Sequence, residues 1–170
     1  LRKAELPAYK ELHALIQGGE IPYVQLLEGS SLAIGDAKID MLGPSRTEVL
    51  SGELNDTMLV ALLRTPDFSA LFAGDIDQKI EERIATKYDV DVDVLKVAHH
   101  GSRFSSSAKF LAEVSPLLAV IEVGKNTYGH PTKQALSRLM ESGARVVRTD
   151  EDGIIKVFKD VDVLRVLQAK

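Results

Sequence analysis

The order of apolar runs along the chain predicts an α/β domain, a sheet covered by helices. Short strand-like runs come first, strand and helix patterns then alternate, and a β-rich hairpin pattern closes the series. With 170 residues, 45% of them hydrophobic, the chain has enough apolar side chain to fill one core, so residues 1–170 are read as a single domain.

The chain opens with helical spacing at Leu6, Tyr9, Leu12, Leu15 and Ile16, which stops at Gly18-Gly19 as a helix C-terminus does. IPYVQLLEGSSLAIGDAKIDMLGPS, residues 21–45, reads as a meander of short strands broken by Gly-Ser and Gly-Asp turns, and a loop is expected from there through Leu54. TMLVALLRT and FSALFAG follow, separated by Pro66-Asp67, which predicts an antiparallel pair. From Asp77 to Lys87, Ile80 and Ile84 with flanking Glu81-Glu82 predict a short helix, and VDVLKVA after it is a buried strand. SSSAKFLAEVSP supplies a serine cap, a helix and a proline stop before the strand LLAVIEVG. HPTKQALSRLMESGA is a helix with Pro131 in its first turn and Gly143 at its end, and RVVRTDEDGIIKVFKD is expected to be a hairpin turning on Asp150 to Gly153.

A formal net charge of −4 argues against a general electrostatic grip on nucleic acid and leaves room only for a local basic groove, around Arg103, Lys125 and Lys133. With no cysteine, disulfides and thiolate metal sites are excluded, and a metal would be held by His, Asp, Glu or Asn. No run approaches the roughly 20 apolar residues of a membrane span and no basic-then-apolar leader opens the chain, so the polypeptide is expected to be soluble.

The chemistry gathers at strand ends. Asp75 follows ALFAG, His99 and His100 follow VLKVA, and His130 lies beyond VIEVGKNTYG. If these strands are parallel neighbours, the side chains converge on one sheet edge, where α/β sheets place their ligand sites. The separations suit one helix-containing crossover each. Imidazole and carboxylate are the ligands that Zn²⁺ or Mn²⁺ takes. Singly, each piece has a plainer reading: Gly74-Asp75 as a turn, the histidine pair as one half-buried and one exposed ring, and Gly129-His130-Pro131 as a helix start. The three together favour a site.

From about residue 55 to 158, the succession NDTMLVALLRTPDFSALFAGDI and DVDVLKVAHHGSRFSSSAKFLAEVSPLLAVIEVGKNTYGHPTKQALSRLMESGARVVRTDEDGIIKV resembles the metallo-β-lactamase-fold domain at the C-terminus of ComEC-type DNA internalisation (competence) proteins. The first fifty residues fit this pattern more loosely. The resemblance implies an αββα sandwich, a divalent metal centre and hydrolysis of phosphodiesters in the DNA strand that is not taken up. It also implies a soluble, extracytoplasmic domain of a bacterial membrane protein, partnered by the membrane channel portion of the same protein and by single-stranded DNA. His99-His100-Gly101 matches the family's HHG element, in which one imidazole reaches the metal and the other orients it or faces substrate. The sequence leaves their order open, with His100 favoured by its place beside the glycine turn. Asp75 and His100 are the expected catalytic groups; Asp75, His99, His100 and His130 the metal set; Asn55, Asp56, Ser102, Arg103 and Lys125 the substrate or phosphate contacts, helped by Ser105 to Ser107 unless those serines only cap the helix that follows.

The family's principal metal motif, His-x-His-x-Asp-His, is absent from these 170 residues, and His13 is expected on a helix surface. The chain therefore reads as the later part of such a domain, holding metal weakly or not at all and inactive in isolation. Two rivals belong to other classes: a non-catalytic binding or structural half that associates through exposed sheet edges, and a small-molecule hydrolase of the same fold.

Overall fold

The computed structural model describes residues 7–19, 22–51, 53, 55–160 and 163–169; Leu6, Ile21 and Leu54 lie outside them. Helix α1 (Pro7–Gln17) buries none of its side chains, and His13 is exposed on it. Among the described residues of the meander two strands form, β1 (Ser31–Ile34) and β2 (Ala37–Gly43), while residues 22–27 take no regular structure. The expected loop up to residue 54 contains a helix instead, α2 (Arg46–Ser51). Its start is a capping box: the Ser45 N–H donates to Glu48 Oε2 at 2.7 Å and the Glu48 N–H to Ser45 Oγ at 3.2 Å.

Strands β3 (Val60–Arg64) and β4 (Ser69–Phe72) are the antiparallel pair predicted across Pro66-Asp67. Helix α3 (Gln78–Lys87) follows, its first amides capped by Asp77. Then β5 (Val94–Lys96), α4 (Ala108–Val114), β6 (Leu118–Ile121), α5 (Lys133–Glu141) and β7 (Arg145–Arg148) alternate as expected. The seven strands form one mixed sheet in the order β1-β2-β3-β4-β5-β6-β7, antiparallel up to β4 and parallel from β4 to β7. Parallel pairing requires a crossover between strands, and α3, α4 and α5 supply them.

The C-terminal hairpin expected over residues 145–160 does not form. Strand β7 pairs parallel with β6, Arg145 opposite Leu118. Residues 149–152 wind into a helical turn, α6 (Thr149–Asp152), because Asp152 Oδ2 accepts from the Arg148 N–H at 2.8 Å and the Arg148 guanidinium pairs with Asp150 and Glu151, each at 2.7 Å. The chain then crosses to the other face, where β8 (Ile154–Asp160) pairs with β9 (Val163–Ala169) in a separate two-stranded sheet.

The fold is therefore the predicted α/β sandwich. On one face Ile80, Ile84, Phe110, Leu111, Val114 and Leu139 of the helices pack on Leu62, Leu71, Leu95, Ala119 and Ile121 of the sheet. On the other, Ile155, Val157, Leu164 and Val166 of the β8–β9 ribbon pack on Ala70, Val94, Leu118 and Val147. Each fully buried aliphatic or aromatic side chain contributes roughly 1.5–3 kcal/mol, so this double burial holds β4, β5 and β6 rigid at the ends where the polar residues begin. Among the described residues, no helix is long and apolar enough to cross a membrane.

Candidate functional site at the carboxyl ends of the parallel strands

Asp75, the histidine pair and His130 leave β4, β5 and β6 at the same end of the sheet, as the spacing predicted. Gly74 turns the chain out of β4 with φ +61, and a Cβ there would meet the Leu59 carbonyl oxygen at 2.9 Å. The turn at Asn55–Thr57 precedes β3, whose start is antiparallel to the end of β4, so Asn55 and Asp56 belong to this edge too. The His99 N–H donates to the Gly74 carbonyl at 3.0 Å, tying the histidine turn to the Asp75 turn.

His99 and His100 both occupy left-handed backbone, with φ 49 and 53, and Gly101 continues it at φ 80. Non-glycine residues pay to stay there, and such conformations persist only where surroundings over-determine them. Part of that constraint is visible in Gly101. A Cβ on it would lie 2.6 Å from Pro131 Cβ, so the HHG turn and the His130 loop touch backbone to ring, and Thr132 donates its N–H and hydroxyl to the Gly101 carbonyl at 2.9 and 3.1 Å.

His100 Nδ1 lies 2.6 Å from the Glu122 carbonyl oxygen. A carbonyl only accepts, so the neutral ring carries its proton on Nδ1 and keeps the lone pair on Nε2. That nitrogen faces Asp75 Oδ1 at 3.7 Å, with the two side chains 42% and 31% exposed. The gap is too long for a hydrogen bond. It is close to the spacing of two donors on one tetrahedral ion, about 3.4 Å for bonds of about 2.1 Å. The His99 and His130 rings meet edge to face with centroids 5.5 Å apart, and Tyr128 lies 5.9 Å from His130. Burial, reinforced by the neighbouring His99 and His100, pushes the His130 pKa down against the opposing charge of Asp75, favouring the neutral ring. His100 and Asp75 thus turn an imidazole nitrogen and a carboxylate oxygen toward one another, with His130 and His99 alongside. Among the described residues, no three His, Asp or Glu side chains converge as a group that could hold a metal ion.

An open cleft of about 850 Å³ runs beside His100 and His130, with Lys125, Tyr128, Thr149 and Ile155 among its walls. Arg103 is exposed, its guanidinium 4.7 Å from the centre of the Phe104 ring. Ser102 is 2% exposed, and Ser105 and Ser106 are fully buried. Ser107 caps α4, accepting the Phe110 N–H at 3.2 Å. The serine-rich loop therefore turns its hydrogen bonds inward.

Four contributors were missed in the sequence. Asn126 grips the backbone of His130 from both sides, accepting its N–H at 3.1 Å and donating to its carbonyl at 2.7 Å; an Asn in GKNTYG is a known backbone mimic, so that signal was present. Thr149 does the same for Val123, at 2.8 and 2.7 Å. Glu122 acts through its main chain, which no side-chain pattern reveals. Glu81, read as a flanking polar residue, is fully buried.

No family model matches the chain. The chain is similar to competence proteins. It is 33% identical over 134 residues, 78% of its length, to ComE operon protein 3 of Bacillus subtilis. It is 42% identical over 89 residues, 51% of its length, to competence protein ComA of Neisseria gonorrhoeae. It is 32% identical over 117 residues, 68% of its length, to recombination protein 2 of Haemophilus influenzae. The matched stretches span only 17%, 13% and 15% of those proteins.

Proposed function

We propose that this chain is a domain of a ComEC-like DNA-uptake protein, of metallo-β-lactamase fold, placed outside the cytoplasmic membrane beside that protein's channel. Its sheet edge contributes to a metal-dependent hydrolytic site acting on the DNA strand that is not transported. The apposition of His100 Nε2 and Asp75 Oδ1 at 3.7 Å carries the reading, and the names of the relatives support its setting.

A divalent ion in such a site, Zn²⁺ or Mn²⁺, lowers the pKa of a bound water and stabilises charge on a scissile phosphate. The residues of this chain do the positioning. Glu122 fixes the His100 tautomer through its carbonyl. Asp75 supplies the facing carboxylate, and His130, kept neutral by burial and its histidine neighbours, is available as a ligand or a phosphate contact. Lys125 in the cleft wall offers a cation to the strand, and the cleft's open mouth suits a polymer better than an enclosed small substrate.

The test uses end-labelled single-stranded DNA with Mn²⁺. Residues 1–170 alone should not cleave, cleavage should appear when a polypeptide bearing His-x-His-x-Asp-His is joined to them, and His100→Ala should remove it again. Equal cleavage by the short chain would show that Asp75, His99, His100 and His130 suffice.

A further inference from the structure

The loop that leaves the HHG turn, residues 102–107, is held by two charged side chains from different helices. Glu81 of α3, fully buried, accepts the backbone N–H of Ser106 on one carboxylate oxygen and that of Ser107 on the other, the latter at 2.9 Å. Arg138 of α5 spans the carbonyls of the same loop, with Nε 2.7 Å from Ser106 O and one terminal nitrogen 3.0 Å from Arg103 O and 2.7 Å from Ser105 O. Amides are taken by the anion and carbonyls by the cation. The loop is therefore gripped through its main chain.

Two costs show that the grip is needed. Ser106 sits in left-handed backbone at φ 55, and its hydroxyl is buried with no hydrogen-bond partner. Each is unfavourable alone, so the loop's own sequence does not select this shape. Upstream lie His99 and His100, also left-handed, with the Ser102 N–H bonded to the His99 carbonyl at 3.0 Å. Of the four non-glycine residues with positive φ among the described residues, three lie together: His99, His100 and Ser106 fall within eight residues, leaving Ser115 outside.

We infer that Glu81 and Arg138 are positioning residues for the site: together they hold the 102–107 loop in the one conformation that lets His100 keep its Nδ1 on Glu122 and its Nε2 toward Asp75. Neither touches the cleft. The inference concerns ring geometry, and it rests on the proposed function only in naming that geometry as useful.

The test is a metal-free ¹⁵N correlation spectrum of the imidazoles, taken where the rings are neutral, with amide exchange at Ser106 and Ser107. The wild-type chain should show His100 in a single Nδ1–H tautomer and slow exchange at both amides. Glu81→Gln, whose amide group cannot accept from both N–H groups, and Arg138→Ala should each reduce the tautomer preference roughly fivefold to tenfold, about the effect of losing one hydrogen bond. Arg138→Lys, which keeps the charge without the fork, should fall between, and decides the matter if Glu81→Gln does not fold. Leu139→Ala, which removes buried packing on α5 without touching the loop's hydrogen bonds, should lower stability and leave the tautomer unchanged. An unchanged His100 tautomer in both Arg138 variants, or an equal change in Leu139→Ala, overturns the inference. Because no metal is present, a tautomer shift seen together with no Mn²⁺-dependent cleavage after the His-x-His-x-Asp-His polypeptide is joined would retain the clamp and reject the proposed function.

Discussion

His100 and Asp75 face each other at 3.7 Å across the ends of two neighbouring parallel strands, too far for a hydrogen bond and within the span of a shared cation. The rest of the site is arranged so that this facing is kept.

The His130 loop depends on Asn126. Replacing it with alanine removes both bonds to the His130 backbone and should cost about 1–3 kcal/mol, read in urea unfolding. Asn126→Asp keeps the acceptor for the His130 N–H and loses the donor to its carbonyl, so its loss should be the smaller.

Gly101 admits no side chain. Gly101→Ala places a Cβ 2.6 Å from Pro131 and forces a left-handed φ on alanine, so roughly 2–5 kcal/mol of stability should go, from backbone strain and overpacking together. Gly129→Ala is the comparison, since it has positive φ but open space around it, and it should cost only the strain. Equal losses in the two variants would show that the contact with Pro131 is slack.

Glu28 predicts an acid limb. Its Oε1 accepts from Arg83, Lys87 and Tyr88 at 2.7, 3.0 and 2.7 Å, joining the start of the sheet to α3. Burial alone would raise its carboxyl; the hydrogen bonds from Tyr88 and Lys87 and the charges of Arg83 and Lys87 outweigh that and hold it below its ordinary 4.5. A depressed carboxylate stabilises the fold above its unfolded pKa and loses that contribution as pH falls through the folded one, so the loss should run downward from about pH 4.5. Glu81 works in the opposite sense: burial raises its pKa despite its amide bonds, so its protonation favours the fold as pH falls. Thermal unfolding of Glu28→Gln and wild type across this range should show the flatter acid limb in the variant.

The chemistry-bearing strand ends were legible in the sequence because β4, β5 and β6 are buried on both faces and so read as unbroken apolar runs closed by polar residues. The same logic failed at the C-terminus. DEDG carries turn residues whether it reverses a hairpin or winds one helical turn, and what decides is the partner of β8, which is β9, with its alternating Val163 to Ala169, and not β7. The capping box Ser45 to Glu48 is spelled out in SRTE, so α2, where a loop is expected, is legible from that local signal. The inward use of the 102–107 loop could not be read locally, since its holders, Glu81 and Arg138, lie about 20 to 30 residues away on either side. Nor could the order of the histidines, because the group that orients His100 is the main-chain carbonyl of Glu122.

The central claim is that His100 and Asp75 form a two-point hold for a divalent cation. Calorimetric titration of the chain with Mn²⁺ tests it most directly, comparing wild type with Asp75→Ala, His100→Ala and the distant surface variant Lys109→Ala. The account predicts weak, saturable binding that is retained in Lys109→Ala and lost in both Asp75→Ala and His100→Ala. Tight binding that survives Asp75→Ala, or no saturable binding by the wild-type chain, would contradict it.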